Sequence, residues 1–178
     1  MLGTRPGGSI AAAYAALLAN GEEGYLRKAA ALMKCSKAMQ AGINAIPEMR
    51  VLGEPHMSII AWTTRPEFAK SINIFAVADV MEKKFRFKVE CQQYPTCLHI
   101  TLTPPHYELV DEFVQALRES ISEVRAHPEL IQEGSAATYG LIAKIPSNAV
   151  VDQFLVSYLG KVLQPSPTPA KETQTESK

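Results

Sequence analysis

Apolar positions recur first at helical spacing, then in alternation, then at helical spacing again. Residues 2–8 (LGTRPGG) read as a tight glycine-rich loop, and Ser9 is placed to cap a helix running to about Asn20, where Gly21 ends it. A second helix is predicted over residues 22–45, with Tyr25, Ala29, Leu32, Met33, Met39 and Ile43 on one stripe and Pro47 as its stop. At 1.5 Å per residue that helix is roughly 35 Å long, enough to bridge two domains.

After Pro47 the pattern changes. Residues 49–52 read as a short strand, Gly53-Glu54-Pro55 as a turn, 57–63 as a strand and 73–84 as a helix. Phe85, Phe87, Val89 and Cys91 alternate with Arg86, Lys88 and Glu90, the pattern of a half-buried strand. Residues 92–96 turn the chain into a return strand over 97–102. Thr103 and Pro104 mark the start of a helix with Leu109, Phe113, Leu117, Ile121 and Val124 inward, ended by His127-Pro128. Residues 129–146 look irregular. Ser147 is placed to cap a last helix with Val151, Phe154, Leu155, Tyr158 and Leu159 inward. Residues 164–178 are proline-rich and polar and are expected to be a disordered tail. The fold class over residues 48–163 is therefore α+β, with mostly antiparallel strands and helices on one face.

Composition adds limits. Lysine plus arginine equal aspartate plus glutamate, 18 against 18, so no long-range field draws the chain to nucleic acid or an anionic membrane. The three cysteines, Cys35, Cys91 and Cys97, are odd in number and have no CxxC spacing, which argues against a disulfide framework or zinc site and for a reducing compartment. The alanine-rich run at residues 10–19 is too weakly hydrophobic, with only Arg5 before it and a Pro-Gly-Gly turn between, to be read as a signal peptide. No segment approaches the ~20 apolar residues of a membrane span, so the chain is expected to be soluble and cytoplasmic.

Few residues suggest chemistry. In the loop Gly3-Thr4-Arg5-Pro6-Gly7-Gly8 the glycines allow close backbone approach, Thr4 offers a hydroxyl and Arg5 a planar fork, and a helix N-terminus follows. That combination either cradles an anion or simply enters a helix. His56, His99, His106 and His127 show no metal-ligand spacing. Cys97 and His99 share a strand face, but no third group orients them as a nucleophile and base, and His99 reads as a hydrogen-bonded strand residue. Tyr139, read as a packing post, and Lys144 are the remaining polar side chains that an adjoining site could use. No catalytic residue and no metal ligand is assigned.

The opening loop, the alanine-rich helix and Gly21-Glu22-Glu23-Gly24-Tyr25 resemble sphingosine-1-phosphate lyase, a pyridoxal-phosphate (PLP) enzyme related to the group II decarboxylases. The resemblance continues, in order, through Gly53-Glu54-Pro55, Ile100-Thr101-Leu102 and Tyr139-Gly140, covering roughly residues 1–160. It implies the aspartate-aminotransferase-type fold (fold type I). Residues 1–21 would end the large cofactor domain, 22–47 would be the interdomain helix, 48–163 the small C-terminal domain and 164–178 the tail. The implied reaction cleaves the C2–C3 bond of a phosphorylated long-chain base to a fatty aldehyde and phosphoethanolamine, with PLP as the electron sink. The complete enzyme is implied to be a homodimer anchored in the endoplasmic reticulum membrane and facing the cytosol.

The resemblance places the cofactor lysine upstream of the loop in a His-Lys pair, and this sequence contains none. The chain is accordingly expected to be a C-terminal fragment, inactive alone. The resemblance carries over to Gly3, Thr4 and Arg5 a role near the cofactor phosphate; relatives often have serine at the Thr4 position. The order of His and Cys around Cys97 to His99 can be reversed in the family, so no fixed role passes to His99. The alternatives are a fragment of a PLP-dependent amino-acid decarboxylase, or a non-enzymatic module that binds another protein through its exposed helix.

Overall fold

A computed structural model describes residues 3–142 and 148–163. The elements are α1 (Gly7–Asn44), β1 (Met49–Val51), β2 (Ile59–Thr64), α2 (Ile74–Phe85), β3 (Glu90–Gln92), β4 (Cys97–Thr101), α3 (Val110–Ala126), α4 (Gly134–Ile142) and α5 (Asn148–Val162), with 3-10 turns at Pro104–His106 and Pro128–Gln132. Two compact units emerge, Met1–Gly140 and Leu141–Lys178.

The first unit is α+β. Its sheet runs β1-β2-β4-β3, and every pairing is antiparallel. Alternation sends Ile60, Trp62, Leu98 and Ile100 to one face, where α1, α2 and α3 bury them. The register carries Trp62 opposite Val51 on one side and Leu98 on the other, and Leu98 opposite Cys91, so one row crosses all four strands. Trp62 is fully buried; Phe113 of α3 meets it edge-on at 5.8 Å between ring centroids, and Phe87 meets Phe113 at 5.3 Å. Each such aromatic pair adds about 0.5–1.5 kcal/mol beyond its area burial.

Side chains close both edges of the sheet. Val51 N–H, facing away from β2, donates to Asn44 Oδ1 at the end of α1 (2.9 Å). On β3 the Tyr139 hydroxyl donates to the Cys91 carbonyl (3.3 Å). Short edges tied off in this way resist pairing with another chain.

The long helical stretch is one element interrupted at Gly21, whose φ of 58° and ψ of −179° lie outside the helical region. Glycine alone takes that conformation readily. The predicted break and the end near Pro47 both stand, whereas the helix begins at Gly7, so Ser9 lies within its first turn and Pro6 occupies the cap position. The predicted stripe is buried only in its C-terminal part: Met39 and Ile43 reach the core with Cys35 and Ser36, while Tyr25 is exposed.

Other expectations need correction. The strand predicted from residue 85 begins at Glu90, because α2 continues to Phe85 and turns out through a left-handed Arg86 (φ 63°). Phe87 and Val89 still pack on the core from backbone outside any strand, so the alternation was real but the ladder was shorter. Thr103 and Pro104 open a 3-10 turn, and α3 starts separately at Val110 with Leu109 as its cap residue. Residues 129–146, expected to be irregular, contain the second 3-10 turn and α4, whose start is held by Asp79 Oδ2 accepting the Ala136 N–H (3.2 Å). In the second unit α5 forms, but Phe154, Leu155, Tyr158 and Leu159 are exposed rather than inward. The Ser147 cap and the 164–178 tail lie outside the described residues, as does the side chain of Val151.

Candidate anion-binding loop

Gly3, Thr4 and Arg5 run as exposed, non-helical backbone into the N-terminus of α1. Pro6 is extended (φ −66°, ψ 130°) and gives no side-chain cap, and no acidic residue sits in the first turn. The Ser9 N–H bonds back to the Pro6 carbonyl (3.2 Å). The helix end therefore keeps uncompensated N–H donors and the positive end of its dipole beside the Thr4 hydroxyl and the Arg5 fork. A shallow groove follows, lined by Arg5, Ser9, Ile10, Ala13, Tyr14 and Leu17. The residues expected to bind the cofactor, Gly3, Thr4 and Arg5, precede this helix end directly in the chain.

Of the other flagged residues His106, His127 and Tyr139 have structural partners, whereas His99, expected to be hydrogen-bonded, keeps a buried Nδ1 without a partner among the described residues. His106 Nδ1 accepts the Thr103 N–H (2.9 Å) in a capping arrangement of the 3-10 turn. His127 pairs with Glu129 at 3.0 Å when protonated, which helps hold the Glu129 carboxyl below its ordinary range, after the bond from that residue's own backbone. His56 is exposed on the 53–57 loop. Cys97 and His99 do share the sheet face away from the helices, but Cys97 is buried and burial pushes its thiol up. A thiolate is disfavoured there, so the pair has no nucleophile. Cys91 is pushed to about 11, by burial first and then by Asp79 and Glu90. Tyr139 is the expected packing post: it stacks on Phe75 (4.5 Å between centroids) as well as tying the β3 edge. Lys144 lies outside the described residues.

Sequence reasoning missed the anchoring of the Gly53-Glu54-Pro55 loop. Buried Ser36 donates its hydroxyl to the Met57 carbonyl (2.8 Å), and Gln40 donates to the Pro55 carbonyl (3.1 Å) and to Ser36 Oγ (3.1 Å). A serine and a glutamine four apart on a helix are the only signal.

Two further concavities lack the chemistry of a site. One lies between the end of β2 and the start of α2, lined by Thr64, Ile72 and Asn73 among others. Its Thr64 hydroxyl is sealed from solvent, and Asn73 Oδ1 already takes the Phe75 and Ala76 N–H groups of α2. The other sits at the Gly21 break, where Arg27 pairs with Glu23 (3.6 Å) and Lys28 bonds to Asn20 Oδ1. Among the described residues no cluster of three or more His, Cys, Asp and Glu could hold a metal ion, and no helix is long and apolar enough to cross a membrane.

The loop can be tested for fit to PLP. Its donors suit the phosphate end. The aldehyde end requires a lysine amine in an enclosed pocket, and every described lysine is exposed. The described residues thus fit one end of the cofactor and not the other.

No family model matches the chain. Over 88% of its length it is 38% identical to sphingosine-1-phosphate lyase from Arabidopsis thaliana, and over 96% it is 30% identical to the Dictyostelium discoideum lyase of the same name. The solved sphingosine-1-phosphate lyase of Burkholderia pseudomallei superposes with a TM-score of 0.63 and 32% identity, over 83% of this chain and 31% of that one. The chain spans 28% of the plant relative's length and 31% of the amoebal one's.

Proposed function

We propose that this chain, similar over most of its length to sphingosine-1-phosphate lyases, supplies the small domain and the adjoining helix of a PLP-dependent lyase. The reaction is cleavage of the C2–C3 bond of a phosphorylated sphingoid base to a fatty aldehyde and phosphoethanolamine. The observation that carries this reading is the agreement of fold and sequence with one solved lyase, 32% identical over 83% of this chain. The antiparallel sheet and the helices on it support reading residues 48–163 as the small domain of fold type I, although residues 141–163 fall in the second compact unit, and the helix broken at Gly21 supports assigning 1–21 to the end of the large domain and 22–47 to the connector. The endoplasmic reticulum membrane and a homodimer belong to the same proposal, with the chain's own residues on the cytosolic side.

Within that enzyme the role of these residues is binding, not bond breaking. Gly3 keeps the backbone open, Thr4 donates a hydroxyl hydrogen bond, and Arg5 gives a charge-assisted one to the cofactor phosphate. PLP, once bound, supplies the electron sink for the breaking bond. The proton transfers at the reacting carbon are assigned in this proposal to other parts of the enzyme, so these 178 residues alone are proposed to be inactive.

The test uses the full-length gene product supplied with PLP. Release of fatty aldehyde from a phosphorylated long-chain base supports the reading. Carbon dioxide release from amino acids without that cleavage would replace it with a decarboxylase. A discrete protein with neither activity and no PLP absorbance band would make it a binding module. Cleavage by the isolated 178-residue chain would overturn the assignment of catalysis to other parts of the protein.

A further inference from the structure

We draw no further inference here: the strongest candidate, the exposed apolar stripe of Ile10, Tyr14, Leu17 and Leu18 on the N-terminal half of α1, carries nothing because nothing in the structure shows what covers it.

Discussion

The crossing of α1 and α3 turns on Gly42. A methyl group built at Gly42 would lie 2.5 Å from Val114 Cγ2, with the other two Val114 carbons at 3.5 Å. Carbon atoms pack best at about 3.5–4.0 Å, so one partner must move by about 1 Å. Val114 is β-branched and within a helix holds essentially one rotamer, so it cannot simply swing aside. Gly42→Ala is expected to cost about 1–3 kcal/mol from this overpacking, against a gain of about 1 kcal/mol in helix propensity. The net is a destabilisation of about 1 kcal/mol. In a Val114→Ala background the clash is gone and only the gain remains, so the same substitution should stabilise by about 1 kcal/mol. The coupling of about 2 kcal/mol is within the range for touching residues. Urea unfolding followed by fluorescence measures it cleanly, because Trp62 is the chain's one tryptophan and lies in the core this crossing covers. With m near 2 kcal/mol/M, the two backgrounds should move the midpoint by about 0.5 M in opposite directions. Equal shifts in both would refute the close approach of the helices.

Other perturbations follow the same logic. Gly134 has φ +53° and a Cβ there would meet Asp79 Oδ2 at 2.6 Å, so Gly134→Ala should destabilise by about 1–3 kcal/mol in the same unfolding assay. Tyr139→Phe keeps the stack on Phe75 but loses the bond to Cys91, for about 1 kcal/mol; Tyr139→Ala should cost clearly more, and equal effects would show that the ring does not pack. Alkylation of Cys91 in the folded chain at pH 8 should run about ninety-fold slower than that of a thiol at the ordinary 9.0, given its pKa of about 11. Since that value is raised above the ordinary 9.0, the thiol's contribution to stability is intact below pH 9 and is lost as the pH rises toward 11, which a pH series of melting curves will show. In the lyase proposed above, Arg5→Ala and Thr4→Ala should weaken PLP retention while Thr4→Ser preserves it, measured by cofactor titration.

The elements were legible where side-chain periodicity ran long enough to name one solution. Phe113, Leu117, Ile121 and Val124 repeat at helical spacing and are all buried in α3. Ile60 and Trp62, two apart, did the same for β2. Failures came where a specific hydrogen bond or a cap overrode the pattern. The start of α4 depends on Asp79, 57 positions away from Ala136, and no window along the chain contains both. β3 lost more than half its predicted length to the left-handed cap at Arg86, since alternation reports which way a side chain faces and not whether its backbone is paired. The inward stripe assigned to α5 failed for a related reason: an apolar spacing predicts a face and cannot supply what covers it.

The same limit governs the anion loop. Its residue types read equally as an anion cradle and as a plain helix entry, and Gly3, Thr4 and Arg5 are all exposed. A charge pair at 4 Å in water is worth only about 1 kcal/mol, against about 4 kcal/mol at the lower effective dielectric near a protein surface. Arg5 therefore gains strength as a ligand only when surrounding protein displaces water from the phosphate, and a single solvated guanidinium cannot retain a cofactor. The loop's contribution is conditional on walls that these residues do not build. Arg5→Ala should accordingly leave phosphate or PLP binding by the isolated 178-residue chain almost unchanged, because there is little to lose, and in the lyase proposed above should lower cofactor affinity by tenfold or more, about 1.4 kcal/mol or more. Similar losses in both would mean that the loop is a complete site by itself, and the division of labour argued from its exposure would fail.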